Sequence, residues 1–137
     1  LDASRAQTLR EKGLEAFVAA WEGTPLFASQ RDVSRDVLAE QRDVRLAQDA
    51  EGLARALDVL GLAEMPDYRR AMASLKVPIT LMTGSHDSKF PSIAKAIASE
   101  NAHVDAELGN GVGHNAVLEA PAAVSAALTT LEKRARK

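Results

Sequence analysis

Asp87 and His114 are the two residues of this 137-residue chain whose types and spacing suit them best to chemistry. Asp87 closes the run Val77-Pro78-Ile79-Thr80-Leu81-Met82-Thr83-Gly84-Ser85-His86-Asp87, and His114 follows 27 residues later in Gly113-His114-Asn115. An apolar strand ending in an acid, and a second strand ending in a Gly-His loop, bring a carboxylate and an imidazole to one edge of a parallel sheet. Ligands of open parallel sheets gather at that edge. A carboxylate there holds the imidazole in one tautomer and stabilises its protonated form, so that the histidine serves as general base. These are two members of a Ser-His-Asp relay. The third, a serine on a sharp strand-to-helix turn, has no counterpart in the chain: no Gly-x-Ser-x-Gly segment occurs. Each residue alone also has a plain structural use, Asp87 as a turn or cap residue and His114 as a structural histidine in a surface turn.

The elements that must position the pair follow from periodicity. Residues 77–83 form a short apolar run flanked by Pro and Gly, which reads as a buried parallel strand. Residues 91–99 carry Ile93, Ala94 and Ile97 at helical spacing, with Pro91 in the first turn. Residues 102–108 read as a second strand and 109–113 as a loop. Residues 121–134 form a helix with Val124, Ala127, Leu128 and Leu131 on one stripe. Strand, helix, strand, helix implies a parallel crossover. Two parallel strands leave an edge open on each side, so the pattern asks for further strands, from a missing N-terminal part or from a partner chain.

Residues 1–74 read as helical. Leu14, Phe17, Val18 and Trp21 share one stripe of a helix beginning near Asp2, which Gly23-Thr24-Pro25 stops. Val33, Val37 and Val44 share a face of a second helix ending near Asp49. Leu53, Ala56, Leu57 and Leu60 mark a third, with Gly61 as its stop. Pro66 opens a short fourth through Met72.

Composition bounds the class. With 46% apolar and 26% charged residues the chain is globular and long enough for one real core. No apolar run approaches the ~20 residues that span a bilayer. A net charge of −2 with no long block of either sign argues against nucleic acid as a partner. The absence of cysteine removes disulfide and thiolate chemistry and fits a cytoplasmic protein. The sequence opens on Leu1 rather than methionine, and the expectation is a piece of a longer protein, or one of two pieces of a cleaved one.

The runs Gly84-Ser85-His86-Asp87-Ser88-Lys89-Phe90 and Gly113-His114-Asn115-Ala116-Val117-Leu118-Glu119-Ala120-Pro121 resemble the acid and histidine motifs of α/β-hydrolases. In that superfamily the acid and then the histidine follow an earlier serine elbow. Phe17-Val18-Ala19-Ala20-Trp21-Glu22-Gly23-Thr24-Pro25-Leu26-Phe27-Ala28-Ser29 resembles the lid of the 2-succinyl-6-hydroxy-2,4-cyclohexadiene-1-carboxylate synthase family of menaquinone biosynthesis, and the Asp-Ser-Lys-Phe run is similar to that family too. The resemblance extends over nearly the whole chain. It implies an α/β fold: the C-terminal part of an α/β-hydrolase, with a helical lid over residues 1–74 followed by a β-α-β-α unit of a parallel sheet over residues 75–137. It also implies loss of pyruvate from a small-molecule substrate, a succinylated cyclohexene dicarboxylate, by proton abstraction without metal or organic cofactor. Asp87 and His114 match the acid and base. Trp21 and Phe27 match lid aromatics lining the pocket, and Arg45 matches a lid arginine able to meet a substrate carboxylate. Without the serine elbow and oxyanion-hole donors, this chain alone is expected to be inactive. Val117 stands where some members have a second histidine, so that residue's role does not carry over.

Other readings stay open on residues alone. Trp21 and Phe27 serve equally as core rings, and Arg42 and Arg45 as exposed helix charges. His86, Asp87 and His114 lack the spacing of a metal site. Gly109-Asn110-Gly111-Val112-Gly113 lacks the Lys-Ser/Thr of a phosphate loop. The same fold also supports ester or C–C bond hydrolysis, or a non-catalytic interaction fragment.

Overall fold

The computed structural model describes residues 1–136. Its contacts group the chain into two compact units. One is Leu1–Pro25 with Ser34–Asp67; the other is Leu26–Val33 with the chain from Tyr68 onward.

The first unit is helical: α1 (Asp2–Glu22), α2 (Arg35–Leu46) and α3 (Ala50–Leu60). Its core lies where α1 meets α3. Ala6, Leu9 and Ala54 are fully buried there, ringed by Leu14, Phe17, Ala50, Leu53 and Leu57. Alanine at both facing positions lets the helices approach closely, and Leu9 fills the space between them. The Asp2 carboxylate accepts from the Leu62 N–H at 3.0 Å and from Arg5 at 3.0 Å, tying the start of α1 to the turn after α3. These hydrogen bonds hold the Asp2 carboxyl below its ordinary pKa.

Four expectations change over residues 1–74. The first helix is kinked at Gly13, whose φ of 78° and ψ of 174° are non-helical; glycine meets that conformation without a side-chain clash. Residues Pro25–Asp32 form a 3₁₀ helix, so Val33 precedes the second helix rather than sharing its face. Ser34 caps α2 by accepting from the Val37 N–H at 3.4 Å, and α2 stops at Leu46. Asp49 caps α3 rather than ending α2, since its side chain accepts from the Gly52 N–H at 2.5 Å. The short fourth helix, α4, runs over Arg69–Ser74, three residues beyond Pro66.

The second unit carries the sheet. Strands β1 (Ile79–Gly84) and β2 (Val104–Gly109) pair in parallel, in register from Ile79 opposite Val104 to Gly84 opposite Gly109. Helix α5 (Phe90–Glu100) makes the crossover and packs on both strands. A one-turn helix α6 (Ala116–Glu119), absent from the sequence reading, precedes α7 (Pro121–Ala135). On α7 the expected stripe is incomplete: Ala127 is buried but Leu128 is 61% exposed. Arg134 on α7 donates to the carbonyls of Ile79 (3.4 Å) and His103 (3.2 Å) and pairs with Asp105 at 2.5 Å. It thereby fixes the strands at the end opposite Asp87. Among the described residues the sheet has two strands, and no helix is long and apolar enough to cross a membrane.

Candidate active site

The loops that leave β1 and β2 are laced together. The Ser85 N–H donates to the Gly109 carbonyl and the His86 N–H to the Val112 carbonyl, both at 2.9 Å. In return the Gly111 N–H donates to Ser85 Oγ at 2.9 Å. Gly84 sits where these loops come closest: a Cβ there would lie 2.1 Å from the Gly113 carbonyl oxygen and 2.2 Å from that of Val112. Only a residue without a side chain allows this approach.

The turn after Gly84 delivers a buried Asp87, whose two carboxylate oxygens have different partners. Oδ1 accepts from the Lys89 and Phe90 amides at 2.9 and 3.1 Å, where α5 begins. Oδ2 lies 2.6 Å from Nδ1 of His114. The capping use and the relay geometry therefore coexist in one side chain. Burial works to raise the Asp87 pKa, but the amides of Phe90 and Lys89, the hydrogen bond to His114 and the imidazole charge outweigh it and hold the carboxyl below its ordinary value. An ionised carboxylate only accepts, so the proton of this contact belongs to Nδ1, and in the neutral ring Nε2 keeps its lone pair. The His114 side chain is 32% exposed, against 3% for Asp87. Two rings tilt against the imidazole: Phe90 at 4.9 Å between centroids and Phe27 at 6.2 Å. A buried acid, an oriented imidazole and apolar flanks can accept a proton and stabilise the cation that results.

Of the sequence-predicted residues, the structure brings together Asp87, His114 and Phe27. Phe27 reaches His114 from the 3₁₀ helix, which belongs to the same unit although it interrupts the helical half in sequence. Trp21 and Arg45 belong to the other unit. Trp21 stacks on Phe17 with centroids 6.1 Å apart, and the Arg5 guanidinium lies 4.7 Å from the indole centroid. Arg45 pairs with Glu22 at 2.9 Å, and Arg42 closes on the same carboxylate. Among the described residues no group of three or more His, Cys, Asp or Glu is placed to hold a metal ion.

Two residues at the site had no role in the sequence reading. Phe90 lies in the Asp-Ser-Lys-Phe run, but its contact with His114 joins different loops and no local spacing marks it. Glu119 accepts from the amides of Gly113 (Oε2, 2.7 Å) and Asn115 (Oε1, 3.2 Å). No capping-box spacing marks it, since Glu119 stands four residues after Asn115, one beyond that motif.

No family model matches the chain. The chain is 35% identical over 130 residues to the 2-succinyl-6-hydroxy-2,4-cyclohexadiene-1-carboxylate synthase of Enterobacter sp. (strain 638), covering 95% of this chain and 47% of that protein. It is 32% identical over 120 residues to the putative synthase of the same name from Bacillus subtilis (strain 168), covering 88% of this chain and 44% of that protein. The structure of MenH from S. aureus matches it with a TM-score of 0.94 at 30% identity, over 99% of this chain and 51% of that one. The chain thus spans about half the length of the relatives it matches. Over that half, its sequence and fold make it a member of the α/β-hydrolase superfamily, homologous to the 2-succinyl-6-hydroxy-2,4-cyclohexadiene-1-carboxylate synthases.

Proposed function

We propose that this chain is the lid-and-relay part of a lyase that eliminates pyruvate to form 2-succinyl-6-hydroxy-2,4-cyclohexadiene-1-carboxylate. The observation that carries this reading is the 2.6 Å contact between a buried Asp87 and Nδ1 of His114, in a chain homologous to such synthases. Asp87 keeps Nδ1 protonated, and Nε2 draws a proton from a serine hydroxyl that the rest of the protein supplies. The base so formed removes a proton from a ring carbon of the succinylated substrate. As that C–H bond breaks, a C=C bond forms, the C–O bond to the enolpyruvyl group breaks, and the enol leaves as pyruvate after taking up a proton.

Residues 1–74 serve as the lid and 75–137 as the core in this reading. Phe27 lies against the imidazole, and Trp21 is carried over from the resemblance as a substrate-binding ring of the lid. Arg42 and Arg45 both meet the carboxylate of Glu22. Arg45, which matches a lid arginine of the related synthases, is the proposed partner of a substrate carboxylate through a charge-assisted hydrogen bond.

The test is pyruvate release by the complete enzyme from the enolpyruvyl substrate, set against turnover of a short nitrophenyl ester. Clear preference for the first is expected. Preference for the ester would retain the relay and sink the lyase.

A further inference from the structure

His114 sits on a loop with its ring partly exposed, and the ring alone does not explain why it stays aimed at Asp87. The peptide groups on either side of it do. The amide before it, of Gly113, and the amide after it, of Asn115, both donate to the same side chain: Glu119, through Oε2 at 2.7 Å and Oε1 at 3.2 Å. Glu119 is itself fixed at the end of α6, whose first turn is closed by Asn115 Oδ1 accepting from the Leu118 N–H at 3.3 Å. The space for this carboxylate exists because residue 113 is glycine. A Cβ there would lie 2.8 Å from Glu119 Oε2 and 1.8 Å from Ser29 Oγ.

We infer that Glu119 is a positioning residue for the relay: its carboxylate clamps the backbone on both sides of His114 and thereby aims Nδ1 at Asp87. The chemistry explains the residue type. Both partners are N–H donors, so the clamp needs two acceptor oxygens, which a carboxylate has and a carboxamide has not. A glutamine of the same shape keeps one bond and turns an NH₂ toward the other donor. A bidentate carboxylate across residues flanking the histidine also restrains the His114 backbone dihedrals, which sets where its ring projects. Glu119 touches no reacting atom in this scheme and acts only through His114. The inference rests on reading His114 as the general base.

The test uses Glu119→Gln and Glu119→Ala in the complete enzyme. The first readout needs no substrate: the NMR resonance of the His114 Nδ1 proton, which a short bond to a carboxylate holds far downfield and slows in exchange. In Glu119→Gln this resonance is expected to move upfield or broaden while the thermal midpoint stays near wild type. The second readout is the kcat and KM for pyruvate release. A misplacement of about 1 Å at a catalytic group lowers turnover by on the order of 100-fold; a loss approaching this in kcat is expected for Glu119→Ala, with KM within about twofold. An unchanged Nδ1 resonance in Glu119→Gln overturns the inference, as does a resonance lost only in step with global unfolding. Should Glu119→Ala fail to fold, Glu119→Gln decides. If the enzyme releases no pyruvate at all, the proposed reaction falls while the resonance still decides the role of Glu119.

Discussion

Gly84→Ala puts the architecture of the site under direct strain. The added Cβ would stand 2.1 Å from the Gly113 carbonyl oxygen and 2.2 Å from that of Val112. Carbon–oxygen contacts normally begin near 3.3 Å, so one loop must retreat by about 1 Å. Both obstructing atoms are backbone, and no side-chain rotation relieves them. The Val112 carbonyl also accepts the His86 N–H at 2.9 Å, a bond that the retreat weakens or breaks. Overpacking of about 1–3 kcal/mol and a lost hydrogen bond of about 1 kcal/mol give an expected destabilisation of about 2–4 kcal/mol. Because Gly113 adjoins His114, the same retreat draws the imidazole away from Asp87, with a loss in kcat of on the order of 100-fold. Denaturant unfolding and turnover of the complete enzyme measure the two effects. A variant within 0.5 kcal/mol and twofold of wild type, thresholds set by ordinary surface substitutions, would refute the reasoning, since the loop would have absorbed the clash without cost.

Other positions give contrasting outcomes. Gly111, at φ +72° with nothing within 4 Å of an added Cβ, should lose only about 1–2 kcal/mol as alanine, from backbone conformation alone, with kcat little changed. Leu9→Ala, which empties the fully buried position between α1 and α3, should cost about 2–5 kcal/mol by denaturant unfolding. Asp87 contributes to pH dependence with a definite sign. Its folded pKa is depressed, so its stabilisation is fully present above the unfolded value near 3.9 and is lost as pH falls through the lower folded value. Unfolding followed from pH 6 downward should therefore show a shallower acid decline in Asp87→Asn than in wild type below about pH 4; parallel declines would contradict the assigned shift.

What could be read from the sequence was what local pattern determines. The strands, the crossover helix and the last helix fall within a few residues of the expected positions, because apolar runs between Pro and Gly, and apolar stripes, reflect the face each element buries. Asp87 and His114 were legible as a pair because both lie just past strands, where a parallel register sets them side by side. Less visible were features made by contacts distant in sequence. The 3₁₀ helix over Pro25–Asp32 is too short for a period, and its Phe27 reaches a histidine 87 positions away. The kink at Gly13 leaves the apolar stripe unbroken, so periodicity passed over it. As a short acidic residue, Asp49 suits the end of one helix as well as the start of the next, and only the Gly52 amide distinguishes the two. Glu119 stood inside the histidine motif, yet its partners are backbone amides, which no residue type announces.

The central claim is that His114, oriented by Asp87, is the general base that activates the serine. Its most direct test is the kcat for pyruvate release by the complete enzyme carrying His114→Ala. The expected result is a loss of about 10⁴-fold or more with the thermal midpoint close to wild type, as for removal of the base from a relay. Turnover within a few-fold of wild type would contradict the account.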